Sequence, residues 1–140
     1  MIVIIETSFL YALVDKNDKN HKKAVDLIKE KANGCTFVVP FICIQKTCQL
    51  INANMAGGVE YAFLNGVLKD FNIEFANHED LARSLEIMAR YEKESLSFYY
   101  ACLTAFAESL KTNLIFGFDL KNLEKIAPHG FKSFKLNANP

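Results

Sequence analysis

The sequence has no excess of charge of either sign, because sixteen Lys and Arg residues balance sixteen Asp and Glu residues. Such a balance gives no overall attraction to a polyanion and argues against strong non-specific binding of nucleic acid. The chain also lacks an apolar run of the roughly 20 residues that cross a membrane. Its first apolar run has no basic flank and stops at Glu6, so no signal peptide is expected. We therefore predict a cytoplasmic protein without membrane contact.

The cysteines and histidines lack the spacing of a metal or redox motif. No Cys-x-x-Cys and no Cys/His zinc pattern occurs among Cys35, Cys43, Cys48 and Cys102. Three of the four lie inside apolar runs, where free cysteine behaves as a small hydrophobic residue. They are predicted to be reduced core residues. The three histidines show no paired spacing either, and each is expected at the surface or at a helix cap.

The chain does have a regular alternation of short apolar runs and helical patterns, and 51% of its residues are hydrophobic. Strands are predicted at 2–5, 36–39, 72–75, 113–116 and 130–134, and helices at about 7–14, 19–32, 41–55, 59–70, 79–92, 97–110 and 120–126. This order predicts an α/β three-layer sandwich with a mostly parallel central sheet of four to five strands. Residues 1–136 are expected to form one domain, followed by a loose tail at 137–140.

Two apolar runs at opposite ends of the chain are each followed by a carboxylate. The run at 2–5 leads into Glu6, and the run at 113–116 is followed by Asp119. Parallel strands end at the same edge of a sheet, where open α/β folds place their ligand sites. This edge is therefore the first candidate for chemistry. Each acid could instead have a purely structural role. Glu6 could be an acid in the first turn of a helix, where the helix dipole favours it, and Asp119 could be the N-cap of a helix.

Three segments in the same order carry a family resemblance. The segments are a buried strand that leads into Glu-Thr-Ser at 6–8, the sequence Leu-Ser-Phe-Tyr-Tyr-Ala at 96–101 and the sequence Leu-Ile-Phe-Gly-Phe-Asp at 114–119. Together they resemble a PIN domain, the fold of VapC-type toxins and related endoribonucleases. The element order resembles that family over nearly the whole chain. The resemblance implies a PIN-like fold in which three or four carboxylates hold Mg²⁺ or Mn²⁺ for cleavage of RNA.

Matched position by position, the acidic site that the resemblance implies is degenerate. Glu6 stands where the family has its first Asp, so the charge is kept one methylene further out. Gln45 stands for a Glu, and Tyr100 stands for an Asp of the later helix, so both positions have lost their charge. Asp119 alone is unchanged. Divalent cations of this kind prefer anionic oxygen ligands, so Glu6 and Asp119 are expected to bind Mg²⁺ or Mn²⁺ only weakly.

Other positions near the implied site bear on this interpretation. Ser8, which supports the metal cluster in the family, is present, whereas Gly117 stands where a hydroxyl residue is usual. Glu108 lies eight residues beyond Tyr100, about 12 Å along a helix, which is too far to replace the missing acid. The ring of Tyr100 is a candidate to fill the vacated cavity, with its hydroxyl reaching Asp119 or Glu6.

The favoured function is that of a PIN-like protein with reduced or lost nuclease activity, acting by binding RNA or an antitoxin-like protein. One alternative is an active Mg²⁺- or Mn²⁺-dependent ribonuclease that uses Glu6 and Asp119. A second is an unrelated α/β small-molecule-binding or receiver-like domain. A receiver-like domain would require paired acids after the first strand, and a phosphate-binding domain would require a glycine-rich loop. The sequence contains neither feature.

The segment from Leu96 to Ala107 carries no charge. A helix that is apolar all round is buried on more than one side, so it is expected to be central or to contact a second subunit. The family resemblance implies a homodimer. Phe63 and Leu64 are further candidates for such a subunit surface.

Overall fold

The computed structural model describes residues 1–137, and within them the sheet is entirely parallel. Its strands are β1 (Ile2–Ile5), β2 (Thr36–Pro40), β3 (Asn72–Glu74), β4 (Leu114–Phe116) and β5 (Lys135–Leu136). They join in the order β3-β2-β1-β4-β5. The predicted α/β sandwich is confirmed, with all five strands formed. The tail predicted at 137–140 lies outside the described residues except for Asn137.

Six α-helices flank the sheet in the described part of the chain. They are α1 (Thr7–Val14), α2 (His21–Lys31), α3 (Phe41–Asn54), α4 (Val59–Asp70), α5 (His78–Arg90) and α6 (Phe98–Ser109). Each begins and ends within about two residues of its predicted bounds, because the apolar periodicity that predicts a helix is a local property. None of the helices within residues 1–137 is long and apolar enough to span a bilayer.

Two predictions near the end of the chain are wrong. Residues 120–126 form successive turns rather than a helix, and the last strand lies at Lys135–Leu136 rather than at 130–134. Leu120, Leu123 and Ile126 are buried, so their three-residue spacing imitates a helical face while each side chain anchors a turn to the core. Asp119 is consequently not the N-cap of a helix.

Strand β1 is the point at which the order of the sheet reverses. It pairs with β2 on one side and with β4 on the other, and Ile5 is aligned with Phe116. The N–H of Glu6 donates to the carbonyl of Phe116 at 2.9 Å, which continues this pairing by one residue. In open parallel sheets the crevice at such a reversal is the usual ligand site. The chain segments beyond β1 and β4 therefore meet at the position where a site is expected.

Helix α6 lies within the core of the chain. Every residue from Ala101 to Ala107 is buried, and the helix packs against α5. This burial explains the absence of charge that the sequence shows from Leu96 onward. Phe63 is only 8% exposed and belongs to the core, so its predicted place on a subunit surface is wrong. Leu64 is exposed.

Glu108 fastens the end of α6 to neighbouring segments. Its carboxylate accepts hydrogen bonds from Arg83 Nε at 2.7 Å and from the His129 N–H at 2.9 Å. Burial by itself would raise the pKa of Glu108, but these two donors outweigh it and lower the pKa. The carboxylate is thus held in a structural ion pair and is not available to the edge of the sheet where β1 and β4 end.

Candidate functional site

Glu6 places a buried carboxylate at the end of β1, with only 3% of the residue exposed. It is the N-cap of α1, since Oε2 accepts from the Ser8 N–H at 2.8 Å and from the Ser8 hydroxyl at 2.5 Å. The other oxygen, Oε1, accepts from the hydroxyl of Tyr99 at 2.7 Å. Both oxygens therefore have partners inside the protein, and the start of α1 favours the negative charge through its dipole.

The hydroxyl of Tyr99 is the centre of a small buried network. It lies 2.5 Å from the Thr7 hydroxyl and 3.4 Å from Cys43 Sγ as well as donating to Glu6. Burial raises the pKa of Tyr99 far above its usual range, and the neighbouring Cys43 and Glu6 raise it further. Burial likewise raises the pKa of the Cys43 thiol to about 12. The network therefore holds one carboxylate, Glu6, among neutral donors.

The tyrosine that reaches Glu6 is Tyr99, one residue before the predicted Tyr100. The two rings meet edge to face with their centroids 5.1 Å apart. Burial raises the pKa of Tyr100, Asn122 lowers it through a hydrogen bond, and the charges of Glu6 and Asp119 add to the rise. The charges of both acids therefore act on Tyr100, but in the described residues no hydrogen bond joins its hydroxyl to Glu6 or Asp119. The phenol that occupies the carboxylate of Glu6, however, comes from its neighbour.

Lys46 of α3 faces this network. Its Nζ lies 3.8 Å from the ring centroid of Tyr99 and 5.8 Å from that of Tyr100. Gln45 is exposed and lines a separate hollow with Phe41. Adjacent residues on an α-helix point about 100° apart, so these two side chains lie on different sides of α3. A cation is therefore the α3 side chain that stands beside the Glu6–Tyr99 pair.

Ser8 connects the ends of β1 and β4. Its Oγ donates to Glu6 and accepts from the N–H groups of Phe118 at 2.8 Å and Asp119 at 3.3 Å. The supporting role implied for Ser8 thus corresponds to contacts on both sides of the sheet reversal. Asp119 itself is exposed, and in the described residues no hydrogen bond of its carboxylate is found. It shares a hollow with Ser8 and Lys19.

The donor set at this edge does not fit a pair of divalent cations. Within residues 1–137 no three His, Cys, Asp or Glu side chains converge on a common point. Glu6 already accepts from Ser8 and Tyr99, and exposed Asp119 shares its hollow with one other acid, Asp18, and with Lys19. Mg²⁺ and Mn²⁺ require several oxygen ligands, of which at least one or two are anionic. The described residues at this edge do not offer such a ligand set.

The glycine at position 117 is coupled to the length of Glu6. A Cβ built on Gly117 would lie 2.9 Å from Glu6 Oε2 and 2.7 Å from Leu120 Cδ2. Atoms this close cannot coexist without movement of a neighbour, and the carboxylate is held by Ser8 and Tyr99. The extra methylene of Glu6 thus brings the carboxylate into the space that a side chain at 117 would need. Two departures from the family pattern form one packing arrangement.

We expect Gly117→Ala to lower the free energy of unfolding by about 1–3 kcal/mol because it overpacks this space. In the Glu6→Asp protein the shorter side chain draws the carboxylate away from position 117. The decrease in the free energy of unfolding caused by Gly117→Ala should then be smaller by at least about 0.5 kcal/mol. Denaturant unfolding of the four proteins in this double-mutant cycle measures the coupling. Gly34→Ala is the control, since nothing lies within 4 Å of its Cβ position. Strict additivity of the two substitutions would contradict the coupling.

Comparisons with known proteins bear on the fold. No protein-family model and no curated protein matches the sequence significantly. Among 16 matching chains of solved structures is VapC20 of Mycobacterium tuberculosis, a sarcin–ricin loop cleaving toxin, with a TM-score of 0.76 and 20% identity. That alignment covers 86% of this chain and 92% of VapC20.

A second structure, VapBC2 of Rickettsia felis bound to a DNA fragment from its promoter, has a TM-score of 0.72 at 12% identity, with 97% of each chain covered. At these identities the likeness concerns the fold. It confirms the predicted PIN-like architecture and favours it over the receiver-like alternative.

Proposed function

We propose that this chain is a PIN-fold protein of the VapC kind whose metal-dependent ribonuclease activity is lost or strongly reduced, and that it acts by binding RNA at the carboxyl edge of its sheet. One observation carries the proposal: Tyr99 donates to the buried carboxylate of Glu6 while Lys46 lies over the same tyrosine ring. A protonated phenol and an ammonium group do not bind Mg²⁺, whereas an ammonium group attracts phosphate.

The local charge around the edge supports an anionic ligand although the whole chain is neutral. Lys46 lies over Tyr99, Lys23 Nζ lies 5.9 Å from the ring centroid of Phe118, and Lys19 shares the hollow of Asp119. Asp18 and Asp119 line the same hollow as Lys19, so the local attraction for an anion centres on Lys46 and Lys23. Ammonium groups beside partly buried aromatic rings are suited to the phosphates of RNA. Neighbouring VapC20 acts on such a substrate, the sarcin–ricin loop.

The proposal is tested by separating RNA binding from metal-dependent cleavage. In a chelator, we expect a labelled RNA to bind with an affinity that falls as salt rises, because ammonium groups supply the attraction. With Mn²⁺ added, calorimetry should show no tight metal binding and the RNA should remain intact. Lys46→Ala should weaken RNA binding, whereas Lys135→Ala, at the opposite edge where β5 begins, should leave it unchanged.

Two outcomes would contradict this proposal. Tight Mn²⁺ binding together with metal-dependent cleavage would support the active ribonuclease that uses Glu6 and Asp119. If the chain shows no salt-dependent binding of RNA, the RNA-binding role is rejected. The calorimetric titration with Mn²⁺ then tests the weakness of the metal site by itself.

Binding of an antitoxin-like protein is a second candidate function. An apolar groove between α1 and α4 is lined by Leu13, Val14 and Ala62, among other residues. Such a groove suits the apolar face of a partner helix. A similar fold occurs in the VapBC2 assembly. Sedimentation of the purified chain tests the accompanying expectation of a homodimer, and a monomer at micromolar concentration would remove it.

A further inference from the structure

A second hollow beside the site is formed by aromatic rings and one amide. Its lining includes Phe41 and Gln45 of α3, Phe75 after β3, and Phe98, Cys102 and Phe106 of α6. We call it the aromatic hollow. Phe75 is 62% exposed, and Phe41 and Phe98 are also classed among the exposed large hydrophobic residues. Single exposed apolar side chains are ordinary, but several side by side mark a surface that contacts a ligand or a partner.

Three of the rings that line the aromatic hollow are exposed, whereas the fourth, Phe106, is buried. Phe41 and Phe75 are stacked, with centroids 4.9 Å apart and planes inclined by 28°. Phe41 is the first residue of α3 and Phe75 directly follows β3, so both rings are positioned by the ends of regular elements. The pair therefore forms a small aromatic platform at the surface.

The aromatic hollow adjoins the charged part of the candidate site through two pairs of sequence neighbours. Gln45 lines the hollow and Lys46 lies over Tyr99; Phe98 lines the hollow and Tyr99 donates to Glu6. The aromatic platform and the exposed amide thus share one hollow, and the ammonium group of Lys46 belongs to the next residue, about 100° further round α3. A ligand that spans them needs a flat apolar face, a polar edge and an adjacent negative charge.

From this juxtaposition we infer that the aromatic hollow binds an unpaired nucleobase, an inference that rests on the proposed binding of RNA. The base stacks against the exposed phenyl platform, and its polar edge exchanges hydrogen bonds with the Gln45 amide, which both donates and accepts. The phosphate joined to that nucleotide lies toward Lys46.

The test compares short single-stranded RNA oligomers with an abasic oligomer of equal length, using fluorescence anisotropy in a chelator at fixed salt. Phe75→Ala should weaken binding of the base-containing oligomers roughly 5- to 150-fold, the loss that follows from removing one stacked base. Binding of the abasic oligomer should not change. Phe75→Trp should restore the affinity because it restores an aromatic face.

Leu85→Ala is the matched control, since Leu85 is 59% exposed on α5 and does not line the aromatic hollow. It should leave RNA affinity unchanged. Because Phe75 is mostly exposed, its truncation should leave the thermal unfolding transition in place.

The possible failures are distinguishable. If the unmodified chain binds RNA and Phe75→Ala binds it equally well, the nucleobase inference is overturned and the proposed RNA binding stands. If the unmodified chain binds no RNA, both fall. If Phe75→Ala instead dissociates a dimer in sedimentation while RNA affinity is unchanged, the aromatic hollow belongs to a second copy of the chain and the inference is overturned.

Discussion

Replacement of Glu6 by Ala is expected to lower the free energy of unfolding by about 2–4 kcal/mol. The substitution removes the N-cap of α1, which is typically worth about 1 kcal/mol. It also leaves the Ser8 N–H and the Tyr99 hydroxyl without their acceptor, at about 1–3 kcal/mol for an unsatisfied buried donor. Asp119→Ala is the matched control at the same edge. Its carboxylate is exposed, and we expect a change within about 0.5 kcal/mol.

The sign of this effect distinguishes two roles for Glu6. Carboxylates that are gathered for metal ions repel one another when no ion is bound, so removing one of them stabilises the metal-free protein. A carboxylate that is satisfied by internal donors has the opposite effect. Urea or guanidinium unfolding of the metal-free protein decides between them. A Glu6→Ala protein as stable as the unmodified chain would show that Glu6 is held for a ligand and not for the fold.

Lys46→Glu combined with Tyr100→Asp is expected to raise the association constant for Mn²⁺ at least about 100-fold, equivalent to about 2.7 kcal/mol. The pair of substitutions removes a cation and adds two anions around Glu6 and Asp119. Interactions between charges a few ångströms apart near a protein surface reach several kcal/mol, which is larger than this change requires. Calorimetric titration with Mn²⁺ measures the affinity, and circular dichroism checks that the variant is folded.

A matched control separates position from charge. Gln45→Glu, Lys46→Gln and Tyr100→Asp together change the net charge by the same amount, but the acid of α3 then stands one residue away. We expect a clearly smaller gain in affinity from this control because Gln45 faces the aromatic hollow. If both variants gain equally, the effect is a general one of charge. If the control gains more, position 45 is the metal-facing position after all.

Local pattern was sufficient for most of the fold. The apolar runs at Ile2–Ile5 and Leu114–Phe116 are strands because branched apolar residues suit a sheet covered on both faces. The helices follow from apolar periodicity in the same way. The pattern failed at 120–126, where buried leucines and an isoleucine satisfy a helical spacing but the backbone makes isolated turn hydrogen bonds, such as Leu123 N–H to the Leu120 carbonyl at 2.9 Å. Tertiary burial, which the sequence does not display, decided that segment.

On each of the two helices α3 and α6, the predicted site residue is one position away from the residue that takes part in the contacts around Glu6. Matching of motifs led to Gln45 and Tyr100, whereas the contacts around Glu6 involve the adjacent Lys46 and Tyr99. One residue on an α-helix corresponds to about 100° of rotation, and a short motif does not fix that phase. Contacts such as Cys43 with Tyr99 depend on how α3 and α6 pack and have no signal in the sequence.

The parallel pairing of β1 with β4 also governs when the site can form during protein synthesis. Tyr99 follows Glu6 by 93 residues, and β4 follows later still. A ribosome that has released only the first half of the chain exposes β1 with one of its two flanking strands absent. Contacts over such long sequence separations form slowly and late. Until α6 has left the ribosome, the carboxylate of Glu6 lacks the Tyr99 hydroxyl that covers it in the folded chain.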